Sequence, residues 1–360
     1  MTEILKRITT EREVDRRFVP AATGAGDPTS VTFVLCIEAG KMENMALRLV
    51  TSLRRWGGRM ALNEVLAVNP RRGVAISSAA RQRLETLGAR LIVRPSANPV
   101  PWFPIYNKAA AVQIADHEAN GEWVRLLASE PVVLGGPELC ALPTGCAFRA
   151  GPLSRSCASR GADDPNEPFW RIVSAAVGTN LATMEWVRDF FEGEPMRMYF
   201  NSGVFAFRRG MRFGDEYAAD FLKVLYCGFR SPTSGIYNTS QVTLPLTVHR
   251  LGLRAECLPI SHHTPIVGNV VREQCEAALP TSKLVHYFRS LTADQFGRFA
   301  SLFNETHPEV GQWLLKLGPI EARQRPISRM IGKTLYEWRR LRYRAFEKKS
   351  AIASTASSAL

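Results

Sequence analysis

Val31-Thr-Phe-Val-Leu-Cys-Ile37 and the elements that follow it decide the fold. A continuous apolar run of this length marks a strand buried on both faces. Next come apolar residues at helical spacing, Met45, Leu47, Leu49, Val50 and Leu53, stopped by Gly57-Gly58. A second strand over Glu64–Val68 ends at Asn69-Pro70, a helix over Ile76–Leu87 stops at Gly88, and a third strand covers Ala89–Val93. Strands alternating with helices at this spacing predict the α/β class, a mixed, mostly parallel sheet flanked by helices. Ligands of such sheets sit at the carboxyl ends of the strands, here Glu38, Asn69 and Arg94.

The pattern continues with a helix opening near Asn107-Lys108 and a strand, Trp123-Val-Arg-Leu-Leu127. Ser129-Glu-Pro-Val-Val-Leu134 then leads into a turn at Gly135-Gly-Pro137. From Cys140 to Pro168 the chain is rich in Gly, Pro, Ser and Arg without periodicity and reads as a long loop. A helix is expected near Ala182–Phe191 and a strand over Tyr199–Phe207, reached through a tight turn. Helices over Asp215–Tyr226 and Gln241–His249, strands over Ala255–Pro259 and Lys283–Phe288, and two helices over Thr292–Leu317 complete the domain. The expected division is an N-terminal arm over 1–30, one domain over 31–318, and a basic segment with a tail over 319–360.

With 46% hydrophobic and 22% charged residues among 360, the chain can bury a core, which excludes disordered and collagen-like classes. The net charge is +13, carried by 37 Arg and 9 Lys against 33 acids. Residues 321–349 hold ten basic residues and three glutamates, so more than half of the excess lies there. In that segment Ile327, Met330, Ile331, Leu335, Trp338, Leu341 and Ala345 recur at helical spacing, with Arg329, Lys333, Arg340 and Arg344 on other faces. A basic amphipathic helix of this kind suits an anionic membrane surface, or a helix packed on the domain with its basic face solvated. No nucleic-acid-binding signature accompanies the charge, so nucleic acid is not an expected partner. The seven cysteines are scattered and lack a zinc module's spacing, although Cys140, Cys146 and Cys157 could recruit a metal with His262 or His263. Their odd number, the absence of a signal peptide and the lack of a membrane-length apolar stretch point to the cytoplasm, with the protein peripheral on the inner face of a membrane if the basic helix docks there.

Five segments in order resemble the GT-A class of nucleotide-sugar glycosyltransferases, closest to the family-eight-like and related nucleotide-diphospho-sugar transferases. They are Tyr106-Asn-Lys108 at a helix start, Trp123–Leu134 as the central strand, Tyr199-Phe-Asn-Ser-Gly-Val-Phe-Ala-Phe207, Ser240-Gln241 at a second helix start, and Leu284-Val-His-Tyr-Phe288. The resemblance implies transfer of a sugar from a nucleoside diphosphate to a glycan, lipid-linked or small-molecule acceptor. It also implies donor contacts at Glu38, Asn69, Asn107, Lys108, Ser129, Ser202 and Gly203, and catalytic positions at Glu130, Asn201 and Gln241. A departing diphosphate needs a cation, which in this class is Mn²⁺ or Mg²⁺ gripped by Asp-x-Asp.

Here the Asp-x-Asp slot reads Ala128-Ser-Glu130 and the Asp-Gln slot reads Ser240-Gln241, leaving Glu130 and His286 as metal ligands. Three readings stay open. A metal-independent transferase could neutralise the diphosphate with Lys108, Arg149, Arg208 or Arg209; a weak metal site could persist on Glu130, His286 and substrate phosphates; or the domain could bind a sugar nucleotide or glycan without catalysis. Asp163-Asp164 in the long loop is a further candidate base, or a solvated acid pair.

Overall fold

The computed structural model describes residues 18–20, 26–152, 156–266, 273–287, 295–320 and 326–353. The first half alternates strictly: β1 (Val31–Cys36), α1 (Lys41–Trp56), β2 (Val65–Asn69), α2 (Ser78–Thr86), β3 (Ala89–Val93), α3 (Asn107–Glu118) and β4 (Trp123–Leu127). Then follow β5 (Pro131–Val133), β6 (Phe148–Ala150), α4 (Glu167–Val177), the hairpin β7 (Trp186–Arg188) and β8 (Pro195–Arg197), and β9 (Val204–Arg208). The remainder comprises α5 (Phe213–Tyr226), β10 (Phe229–Arg230), α6 (Thr239–Arg250), β11 (Ala255–Cys257), β12 (Thr264–Pro265), α7 (Glu273–Ala278) and β13 (Leu284–His286). It closes with α8 (Phe296–Thr306), α9 (Pro308–Leu317), α10 (Pro326–Lys349) and β14 (Ala351–Ile352).

Seven strands form the central sheet in the order β11-β6-β9-β4-β1-β2-β3. All neighbours are parallel except β9, which runs against both β4 and β6. Alternation along β1 sends Val34 and Cys36 into one core layer and Val31, Phe33 and Leu35 into the other, so both faces are covered. A second sheet, β12-β13-β5, carries a third core layer with α8 and α9. The mostly parallel α/β sheet is as expected, and β3 and β4 fall on the residues read from the sequence.

Two local expectations fail. Residues 181–197 contain no α-helix: a single 3-10 turn, Leu181–Thr183, capped by the Asn180 side chain, gives way to the β7–β8 hairpin. Leu181, Met184 and Val187 imitate a helical stripe, but Gly193 takes a φ of 69° in the turn, where glycine is at ease. The stretch from Cys140 to Pro168 is not all loop. Phe148–Ala150 is a buried strand bridging β9 and β11, and Glu167 and Pro168 already belong to α4. Most of the expected N-terminal arm lies outside the described residues, but Val19 is buried and bonds to Trp186.

Candidate active site

Because β9 is antiparallel, its beginning rather than its end lies beside the carboxyl end of β4; Leu127 pairs with Val204, and Ala128 N donates to Gly203 O at 2.7 Å. One edge of the sheet thereby gathers the exits of β1, β2 and β4 and the Asn201-Ser202-Gly203 turn. The neighbouring turn is held by Asn201 Oδ1, which accepts from Gly203 N at 2.8 Å. Gly203 makes room for a ring: a Cβ there would lie 2.5 Å from Cε1 of His286.

Lys108 stands in the first turn of α3, with Nζ donating to Ser202 Oγ at 3.3 Å; Ser202 Oγ is in turn 2.8 Å from Ser240 Oγ. Three segments far apart in sequence are thus linked through the Ser202 hydroxyl. Burial pulls the Lys108 pKa below its usual value, and the carboxylate of Glu130 opposes that shift. Glu130 itself is about one-third exposed and lies 3.3 Å from His286 Nε2. His286 Nδ1 is 3.1 Å from His263 Nε2.

A neutral imidazole has one donor and one acceptor nitrogen, which orders this chain. With His286 Nε2 donating to Glu130, its Nδ1 accepts from His263 Nε2, and His263 Nδ1 is left as an acceptor; that atom is buried without a partner among the described residues. Burial first, then the neighbouring His286 and the charge of Arg125, hold His263 well below the usual histidine range. Burial also lowers His286, against the pull of Glu130. Both rings are therefore neutral near pH 7, and they aim the Glu130 carboxylate rather than carry charge.

On the other side of Lys108, Glu38 receives Nε and Nη2 of Arg71, and Asn107 Nδ2 at 3.3 Å. Asn98 fixes Asn107 at 2.8 Å, and Arg71 also reaches the Pro101 carbonyl at 3.0 Å. Ser129 is tied to the Cys36 carbonyl, and Asn69 is buried at the exit of β2. Gln241 is set further along α6, bonded to Asn238 at 2.9 Å, with Oε1 buried and unpaired among the described residues.

The structure brings together Glu38 with Asn107, Lys108 with Ser202, and Glu130 with His286. It takes three arginines away. Arg149 is fully buried, bonded to Glu256 at 2.5 Å and to the Leu139 and Ala141 carbonyls. Arg208 lies at the opposite end of β4, over the Trp123 ring and paired with Glu122, and Arg209 bonds the Glu122 carbonyl there. None of them can meet a ligand at the exit of β4. Asp164 caps the turn before α4 and pairs with Arg160, which accounts for it without catalysis. Arg71 was missed, and His263, considered only as a metal partner of the cysteines, stands beside His286 instead. Arg71 lies just past a strand exit, a position the topology rule marks; nothing local in the sequence pairs His263 with His286.

These donors do not fit Mn²⁺ or Mg²⁺. Such ions take several oxygens, whereas among the described residues Glu130 is the one carboxylate beside His286, Glu38 is taken by Arg71 and Asn107, both His286 nitrogens are engaged, and Lys108 brings a competing positive charge. Among the described residues, no three His, Cys, Asp or Glu side chains converge as a metal site, and none of the seven cysteines is in a disulfide.

The class of the protein, a glycosyltransferase, comes from its family rather than from the sheet alone. The Rhodobacterales glycosyltransferase domain profile matches residues 33–252, and the chain belongs to that family. Its structure is similar to that of the WbbM bifunctional glycosyltransferase in the apo state, at 13% identity and a TM-score of 0.50. That likeness covers 84% of this chain and 54% of the other, so this chain spans about half the length of that protein. No curated protein matches it.

Proposed function

We propose that the domain moves a sugar from a nucleoside diphosphate to a glycan or lipid-linked acceptor without a divalent metal, working at the cytoplasmic face of a membrane. The observation that carries this reading is the placement of Lys108, held by Ser202 and facing Glu130, where the class otherwise needs a metal. The nucleoside is assigned to the Glu38, Asn69, Arg71 and Asn107 side of the site, and the sugar to the space between Glu130 and the Asn201-Ser202-Gly203 turn.

In this mechanism the acceptor oxygen bonds the sugar's anomeric carbon while the bond from that carbon to the diphosphate oxygen breaks. The electron pair leaves on the diphosphate, whose charge the Lys108 ammonium offsets. The acceptor's hydroxyl proton passes to Glu130, the partly exposed carboxylate that His286 orients.

Turnover of UDP-, GDP- and CMP-sugars, each with EDTA or with Mn²⁺, tests the reading. The expected result is turnover of one diphosphate donor that EDTA leaves unchanged. Loss in EDTA restored by Mn²⁺ overturns metal independence. Tight nucleotide binding with no turnover of any donor overturns transfer and leaves a sugar-nucleotide-binding domain.

A further inference from the structure

The C-terminal helix α10 has two apolar faces, and the body of the domain uses one. Ser328, Gly332, Leu335, Arg339, Tyr343 and Phe346 are half-buried and recur at helical spacing, with Glu347 half-buried beside them. Through them Phe346 meets Trp102 at 4.8 Å and Tyr343 meets Phe103 at 5.9 Å. Arg339 Nη2 donates to the Arg72 carbonyl at 2.7 Å, next to the Arg71–Glu38 pair. Leu335, which the sequence groups with the other apolar residues, belongs to this inner face.

Roughly a third of a turn away by helical geometry lies a second stripe: Ile327, Met330, Ile331, Trp338 and Leu341. These side chains are 71%, 64%, 46%, 43% and 61% exposed. Lys333 and Arg344 edge the stripe on one side, Arg342 and Lys349 on the other, and α10 as a whole has eight basic residues against two glutamates. Soluble surfaces rarely leave so many large apolar groups in line without a partner.

We propose that this face lays α10 flat on an anionic bilayer, with the stripe among the acyl chains just below the headgroups and the basic rims on lipid phosphates. Charge complementarity selects the occupant. A second copy would bring a net +6 helix against its like, and nucleic acid has no apolar surface for the stripe. Among the described residues no helix is long and apolar enough to cross a membrane, which fits surface docking. Because the inner face touches the segment just after Arg71, docking holds the donor site at the lipid surface and favours a lipid-anchored acceptor. That last step rests on the transfer reading above; the docking does not.

The test is co-sedimentation of the full chain with vesicles of phosphatidylcholine alone and mixed with phosphatidylglycerol. Binding is expected only to the mixed vesicles, weakening as salt screens the charges. The double variant Ile331→Glu/Leu341→Glu alters exposed positions, so its thermal midpoint should hold while vesicle affinity falls about a hundredfold or more. Equal binding by the variant, no binding to anionic vesicles, a chain that dimerises through the stripe, or DNA that binds as tightly as the vesicles would each overturn the proposal. Vesicle binding without turnover of any donor leaves docking standing and refutes only the transfer reading. Vesicle-bound enzyme that glycosylates soluble but not lipid-linked acceptors refutes the acceptor assignment.

Discussion

The ring of His286 lies against the backbone of Gly203 so closely that a methyl group there would sit 2.5 Å from Cε1 and 2.9 Å from Nδ1. His286 is 2% exposed, so the ring cannot swing away into solvent. Gly203→Ala should therefore cost about 1–3 kcal/mol in urea unfolding, as overpacking does. It should also push the ring off Glu130 and slow donor turnover. A variant with wild-type stability and rate would show that the ring has room.

Lys108→Ala should lower kcat for donor turnover by about a hundredfold to a thousandfold, the usual cost of losing a group that offsets charge in the transition state. Because Ser202 and Ser240 bond to each other, the turn should stay in place, and circular dichroism should be unchanged. Ser202→Ala, which removes a positioning contact, should have a smaller effect on kcat. If Mn²⁺ rescued Lys108→Ala fully, the lysine and a metal would be interchangeable and the proposed role would fall.

Three buried histidines make stability depend on acid. Burial lowers His262 to about 3 and pushes His263 and His286 below their usual value too. Each takes up a proton near pH 6.5 in the unfolded chain but resists it when folded, so the unfolded state binds more protons as pH falls through that point. Stability is complete above about pH 6.5 and is lost on acidification, by up to about 1.4 kcal/mol per pH unit for each such group. Urea midpoints at pH 7 and 5 should differ accordingly, and His262→Gln should flatten the slope. Identical midpoints at the two pH values contradict this.

Arg149 and Glu256 form an ion pair in the sheet, 0% and 3% exposed. Arg149→Met alone leaves a buried carboxylate and should cost about 3–5 kcal/mol, while Arg149→Met with Glu256→Leu should regain most of the loss. Thermal unfolding of the two variants decides it; equal destabilisation would mean the pair's packing, not its charge, is what counts.

The sequence showed most where one element carries its own signal. β4 could be bounded because Trp123–Leu127 is apolar apart from Arg125 and is followed by a polar turn. Lys108 could be located because it opens a helix. Phe148–Ala150 was invisible because three residues have no period, and the strand exists through partners at Phe205–Phe207 and Ala255–Cys257. The same holds in the site. Asn201, Ser202 and Gly203 announce a turn, but the reason for the glycine, a histidine ring arriving from β13, is tertiary. The arginines proposed as phosphate ligands were judged by charge alone, and charge does not reveal at which end of a strand a residue lies.

The reversed direction of β9 also sets a timetable. Lys108 and Ser202 are 94 positions apart, and Glu130 and His286 are 156 apart. A chain leaving the ribosome can assemble β1 to β4 early, yet that sheet edge has only one wall until the turn before β9 arrives, and Glu130 is unaimed until β13 docks. Contacts so distant in sequence close late. The proposed sugar site is thus completed by the last strands of the domain rather than by its first, and a chain stalled before residue 200 would lack both the Asn201-Ser202-Gly203 turn and His286.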